Sequence, residues 1–401
     1  GTQSYGDAAG TDTITLGANT TLTGSTVTFN APIAAAAHTL AITGNAVFGD
    51  STGDDTATGL ASLSVSGSAS INTTAITSTG TQLWSGPLSI ERSTTLTAGG
   101  ITAESTVNGQ NNLTLNASGP AAFEGEIGLI AAESPNGLGS GTGASIVILS
   151  TGTTVFEKEM RTASGIAQAD ATGLVTFNGS VSVSSASAPT EFLSDAAFDF
   201  SAQEAFSSAG AIVFGTATAV DADRDTVTIS GNAASGITIR TLDPANGTIT
   251  INSTIASSIP VAVENSGILK TNENADISIH VPTPGTAGFI QRAPPEDVVL
   301  SAITDNRAQL AGGIETEGGN ISFASDVFIF GTAGPTSSMN LGAALNTDST
   351  DPQSVHFAKD LHIAAPGKTV HALSSWYSDA NIILYGGTLD FYDGTIRQGL
   401  T

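Results

Sequence analysis

The chain is written in short runs of alternating apolar and polar residues. The triplets Leu40-Ala41-Ile42, Leu63-Ser64-Val65, Leu88-Ser89-Ile90 and Leu113-Thr114-Leu115 begin 23, 25 and 25 residues apart. Alternation with a period of two over so few positions predicts short strands with one face buried. Gly, Asn, Ser and Asp separate these runs and supply turns that need φ > 0. No segment carries a helical period. The nearest, from Leu193 to Ala205, places Phe198 and Phe200 outside any helical stripe.

The runs repeat. Gly1-Thr2-Gln3-Ser4-Tyr5 returns as Gly80-Thr81-Gln82-Leu83-Trp84, and Thr20-Thr21-Leu22-Thr23 as Thr94-Thr95-Leu96-Thr97. His38-Thr39-Leu40-Ala41-Ile42 is answered by Asn111-Asn112-Leu113-Thr114-Leu115, and the phrase ending in Phe48 by the one ending in Phe123. The offsets stay between 73 and 79, which marks a duplication. A shorter unit built around Phe recurs at Phe29, Phe48, Phe156, Phe177, Phe214, Phe323 and Phe357. Several of its spacings lie near 19 to 21 or a multiple, whereas Phe123 to Phe156 does not, so insertions interrupt the period.

Short strands at a repeat of ~20–25 residues are the signature of stacked coils, each unable to bury its inward residues alone. The expected fold is all-β, a right-handed parallel β-helix (β-solenoid) with loop insertions, because crossovers between parallel strands prefer that hand. The recurring Phe is expected to form one internal ladder, in roughly 17–20 coils. A row of β-sandwich domains is the competing architecture, and residues 210–258 read best that way. Pro282, Pro284, Pro294 and Pro295 cannot donate to a central ladder. Three segments follow: β-solenoid repeats over 1–280, a Pro-rich loop or junction over 281–299, and a continuing solenoid of different texture over 300–401. That last segment holds His356, His362 and His371, with Trp376, Tyr377, Tyr385, Phe391 and Tyr392.

Composition narrows the function classes. Hydrophobic residues make up 40%, enough for a continuous core, yet only 12% are charged and 5% aromatic. Lys and Arg number 11 against 36 Asp and Glu, a net charge of −25. Nucleic-acid binding needs a basic patch that this chain lacks, and an anionic membrane surface repels it. No apolar run reaches the ~18 residues of a membrane span. The absence of Cys leaves the redox compartment open and fits a bacterial exported protein. With Gly1 already in a strand-like phrase, the sequence reads as a fragment of a larger chain whose targeting and anchoring parts lie elsewhere.

Over about residues 1–130, the Gly-Thr-Gln-x-aromatic and Thr-Thr-Leu-Thr phrases precede Val-Thr-Phe-Asn and Leu-x-Ile-x-Gly-x-Ala-x-Phe-Gly. Together they resemble the repeats of filamentous-haemagglutinin-like and autotransporter-adhesin proteins of Gram-negative bacteria. The resemblance implies a right-handed parallel β-helix, export to the cell surface, and a role in adhesion or as a stalk.

Candidate chemistry is sparse. Asp221, Asp223 and Asp225 have the alternate spacing that opens a calcium loop. Thr226 then stands where an EF-hand needs Gly, and Asn232 where it needs Glu. Asp54-Asp55 is similar to the paired carboxylates of polysaccharide hydrolases, without the further acids and base those sites need. His356 and His362 share parity and would face one side of an unbroken strand, with His371 as a third zinc ligand. Trp376-Tyr377 and Tyr385 offer rings on which sugar faces could stack.

The reading that fits best is a non-catalytic structural or adhesive stalk or fibre segment, extracellular, on a bacterial cell surface. Its partners would be host, neighbouring-cell or matrix glycans and proteins, or further copies of itself, without nucleic acid and without membrane insertion. No cofactor is expected; a calcium ion at Asp221, Asp223 and Asp225 is the alternative to a solvated acidic turn. A carbohydrate-active β-helix enzyme and a calcium-dependent surface-layer or matrix module are the alternatives.

Overall fold

The computed structural model covers all 401 residues. It describes 1–7, 12–50, 52, 55–169, 172–200, 204–215, 226–231, 237–241, 248–252, 254–259, 261–265, 268–271, 277–280, 286–292, 307–310, 314–317, 319–323, 326–330, 338–344, 354–358, 360–372, 375–391 and 396–398. The chain is all-β, with parallel sheets stacked as a β-solenoid and no helix among the described residues. It divides into two compact units, Gly1–Thr190 and Glu191–Thr401.

In the first unit each turn contributes to three walls. Thr81–Trp84 pairs in parallel with Leu63–Val65 on one side and Gly100–Ala103 on the other, and belongs to the first wall. Leu88–Ile90 lies between Ala69–Ile71 and Val107–Asn108 in the second. Thr94–Ala98 lies between Ala75–Ser78 and Leu113–Ala117 in the third. Two longer strands, Thr20–Phe29 and Leu40–Phe48, run through the first corner and serve the first and second walls in succession. The apolar-x-apolar triplets explain themselves here. In Leu63-Ser64-Val65 and Leu88-Ser89-Ile90 the flanking aliphatics are buried and the central Ser faces outward.

Inward side chains stack turn upon turn, but the recurring Phe does not form the single ladder expected. Tyr5, Phe29 and Phe48 stack on the second wall with ring centroids 5.7 and 5.4 Å apart. That column continues as Ile71 and Ile90. Phe123, Phe156 and Phe177 stack on the first wall, 5.2 Å apart, in line with Trp84 and Ala103. Phe48 and Trp84 meet edge to face across the corner, at 5.9 Å.

The duplicated phrases therefore match one wall apart. Tyr5 lies on the second wall and Trp84 on the first; residues 40–42 lie on the first and 113–115 on the third. An offset of 73–79 residues is roughly three and two-thirds turns, so the repeating unit is the strand and its corner rather than the whole turn.

The corners are set by glycine. Gly24, Gly44, Gly67 and Gly86 stack between the first and second walls; Gly80, Gly99, Gly119, Gly152 and Gly173 stack between the third and first. A Cβ on Gly44 would meet the carbonyl of Gly24, and one on Gly119 that of Gly99, both inside the 3.0 Å that real Cβ atoms keep. Gly44 also sits at φ +124°, open only to glycine.

The second unit has three columns of its own, again parallel. Residues expected to suit a sandwich, Thr226–Gly231 and Ile237–Thr241, pair in parallel with strands of the neighbouring turns, which excludes the antiparallel sandwich there. The segment nearest to a helical reading forms the strands Ala196–Phe200 and Glu204–Ser208. Within 281–299, Thr286–Arg292 is a strand between Val261–Glu264 and Gly319–Phe323; the four prolines lie outside the described residues.

Turns here are longer. Ala196 pairs with Val227, 31 residues on, and Leu269 with Ala308, 39 residues on. The first unit mostly keeps 19 to 23, as between Phe29 and Phe48 or Leu40 and Leu63. Long connections between constant short strands lengthen these turns.

Candidate functional site

The longest excursion of the first unit falls where the Phe period breaks. Phe123 pairs with Phe156, 33 residues on. Ile127 keeps the second wall continuous by bridging Val107 and Met160, and the chain then leaves the stack until Ile146–Ile148 restores the third wall. The excursion is tied down at several points. Leu138 is fully buried; its N–H donates to the Arg161 carbonyl at 2.9 Å, and its own carbonyl accepts from Ala163 N–H at 2.8 Å. Ser134 Oγ accepts from Gly109 N–H at 2.7 Å and donates to the Gly109 carbonyl at 3.1 Å. Asn112 clamps the far side: Oδ1 accepts from Ser140 N–H at 2.9 Å and Nδ2 donates to the Thr142 carbonyl at 3.0 Å.

Between this loop and the corners of the following turns lies a groove of about 390 Å3. Gln110, Asn136, Ser140, Ser184 and Ser185 supply its polar atoms, with Pro135, Ala163 and the backbone of Gly137, Gly139 and Gly141 between them. None of these residues is charged or aromatic. Gln110, Asn136 and Ser184 are exposed, and among the described residues their side chains make no hydrogen bond within the protein. The sequence marked the insertion by its broken period. The meeting of residues 110, 136 and 184 had no sequence signal, because each comes from a different turn.

The candidates read from sequence are distributed otherwise. Asp221, Asp223 and Asp225 lie outside the described residues, as does Asp54. Asp55 is buried, with 6% of its surface exposed, and its Oδ2 accepts from Asp50 N–H at 3.2 Å. Burial pushes the Asp55 carboxyl up and the neighbouring Asp50 carboxylate adds to the rise, while the Asp50 amide and Arg92 pull it down. Asp50 is held low by the Thr52 hydroxyl and amide, at 2.6 and 2.8 Å.

The three histidines do not converge. His356 lies on Ser354–Phe357, paired with Gly319–Phe323 and Ser375–Ser378. His362 and His371 share the strand Leu361–Ala372, but its register breaks between Ala364 and Thr369. Its first part pairs with Asp326–Phe330 and its second with Ser338–Ala344. Each histidine thus faces outward from a different column, because corners intervene where parity alone assumed one unbroken strand. Each has its own neighbour. His356 Nε2 lies 2.8 Å from Asp379 Oδ2. The His371 Nδ1 to Asp390 Oδ2 approach, 3.3 Å, is too poorly aligned for a hydrogen bond. The His362 ring lies flat against Phe328, centroids 4.3 Å apart, with Tyr385 on its other side at 6.0 Å. Among the described residues no group of three or more His, Cys, Asp or Glu is placed to hold a metal ion.

Trp376 is fully buried against Phe357, so it forms no part of a surface platform; Tyr385 is 68% exposed. No described helix is long and apolar enough to cross a membrane.

No family model, no curated protein and no solved structure matches the chain. The likeness to haemagglutinin-type repeats holds at the level of a parallel β-helix repeat protein.

Proposed function

We propose that this chain is an extracellular structural segment of a bacterial surface protein, a stalk or fibre piece that carries adhesive contacts and performs no catalysis. The observation that supports this reading is the unbroken parallel pairing of turn upon turn within each unit, from Thr2–Tyr5 to Val181–Val183 and from Ala196–Phe200 to Ile396–Gln398. Such a stack extends by adding coils of the same kind, which suits a spacer. Its outward side chains are mostly small and neutral, and Lys and Arg together number 11, leaving few sites for trypsin-like proteases. The carboxylate excess keeps neighbouring molecules apart in solution.

The reading is tested with antibodies raised against the chain. On intact, unpermeabilised cells of the parent bacterium, antibody labelling at the surface is expected, and mild external protease should release the epitope in large resistant pieces. Labelling that requires permeabilised cells would overturn it.

A further inference from the structure

The groove beside the inserted loop has the chemistry of a binding site. We propose that it binds a neutral carbohydrate, with Gln110, Asn136 and Ser184 as the hydrogen-bonding side chains. Two side-chain amides and a hydroxyl, all without partners inside the protein, border one concavity. An amide offers two donors and an acceptor, and a hydroxyl both donates and accepts. That mixture matches sugar hydroxyls, which also donate and accept at one atom. Among the described residues the lining holds no Lys, Arg, Asp or Glu, which leaves no counter-charge for an ionic ligand. The net charge of −25 disfavours acidic glycans further. Pro135 and Ala163 supply small apolar surfaces for the C–H face of a pyranose. A volume of about 390 Å3 falls at the lower end of small-ligand sites, enough for a short saccharide.

The groove is also held open in advance. The loop is pinned through Leu138 to Arg161 and Ala163, through Ser134 to Gly109, and through Asn112 to Ser140 and Thr142. Little ordering is left to the moment of binding, which is the condition under which a few neutral hydrogen bonds give measurable affinity. Loops inserted into repeat stacks are commonly where such proteins bind.

The test titrates the full chain with neutral oligosaccharides of glucose, galactose, mannose and N-acetylglucosamine, and with polygalacturonate fragments as the acidic counterpart, followed by calorimetry. Binding of at least one neutral oligosaccharide is expected, weakened about tenfold or more in the double variant Gln110→Ala plus Asn136→Ala. Both positions are exposed, so the variant's melting temperature should match that of the parent. A Tyr385→Ala variant, altered in the other unit, should bind as the parent does. No binding of any neutral member, preference for the acidic fragments, or binding indifferent to the double variant would each overturn the proposal. None of these outcomes depends on where the protein resides, so the groove and the surface-stalk reading stand or fall separately.

Discussion

At the scale of single residues, corner geometry and one buried carboxyl govern the outcome. Gly44 has φ +124° and no room for a Cβ beneath the Gly24 carbonyl. Gly44→Ala should cost about 1–3 kcal/mol, read from chemical denaturation. Gly17→Ala, at an exposed position with nothing within 4 Å, should stay within about 0.5 kcal/mol. Asp55 has its pKa raised by burial and by Asp50. A folded pKa above the unfolded value means that its contribution is fully present below the unfolded pKa and is lost as pH rises through the folded one. Asp55→Asn keeps an oxygen to accept from the Asp50 amide but cannot ionise. Its melting temperature should gain on the parent's between pH 3.5 and 7. A variant that falls further behind as pH rises would show that the ionised form is the stabilising one.

At the scale of the strand, inward columns carry stability and outward pairs add little. Phe156 is sandwiched between Phe123 and Phe177, with 1% of its surface exposed. Phe156→Ala should cost about 3–5 kcal/mol, because the gap cannot be filled by turns held in register above and below. His356 and Asp379, by contrast, expose 44% and 61% of their side chains. His356→Ala should change stability by no more than about 1 kcal/mol. Because the three histidines stand on separate columns, micromolar zinc should leave the melting temperature unchanged. A clear rise would show a zinc site made with residues beyond those described.

At the scale of the whole molecule, the stack makes stability a local property. Most turns of the first unit touch only the turn before and the turn after, as the 19- to 23-residue pairings show. Hydrogen exchange on Phe156→Ala should speed up in Leu113–Ala117, Ile146–Ile148 and Val175–Phe177 and leave Thr20–Phe29 nearly as protected as in the parent. Equal loss of protection throughout the first unit would show that it opens as one cooperative body.

How much of this was legible beforehand follows from the range of each interaction. The period-two triplets, the Phe phrases and the glycine-bearing turns are local, and they determined the short strands, the buried faces and the stacking of coils. Even the corner glycines are written plainly, at 24, 44, 67 and 86 and at 80, 99, 119, 152 and 173; by sequence they are generic turn residues, and only the stacking of their backbones leaves no room for a Cβ. Only the tertiary structure decided which wall each strand joins. A phrase such as the one ending in Phe48 or Phe123 fits either wall equally, since both ask for the same alternation, and connection length alone sets how far round the chain has travelled. For the same reason the histidines parted and Gln110, Asn136 and Ser184 came together. Neighbourhood in a solenoid is set by turns stacked in space, across separations of 26 and 48 residues that no local pattern spans.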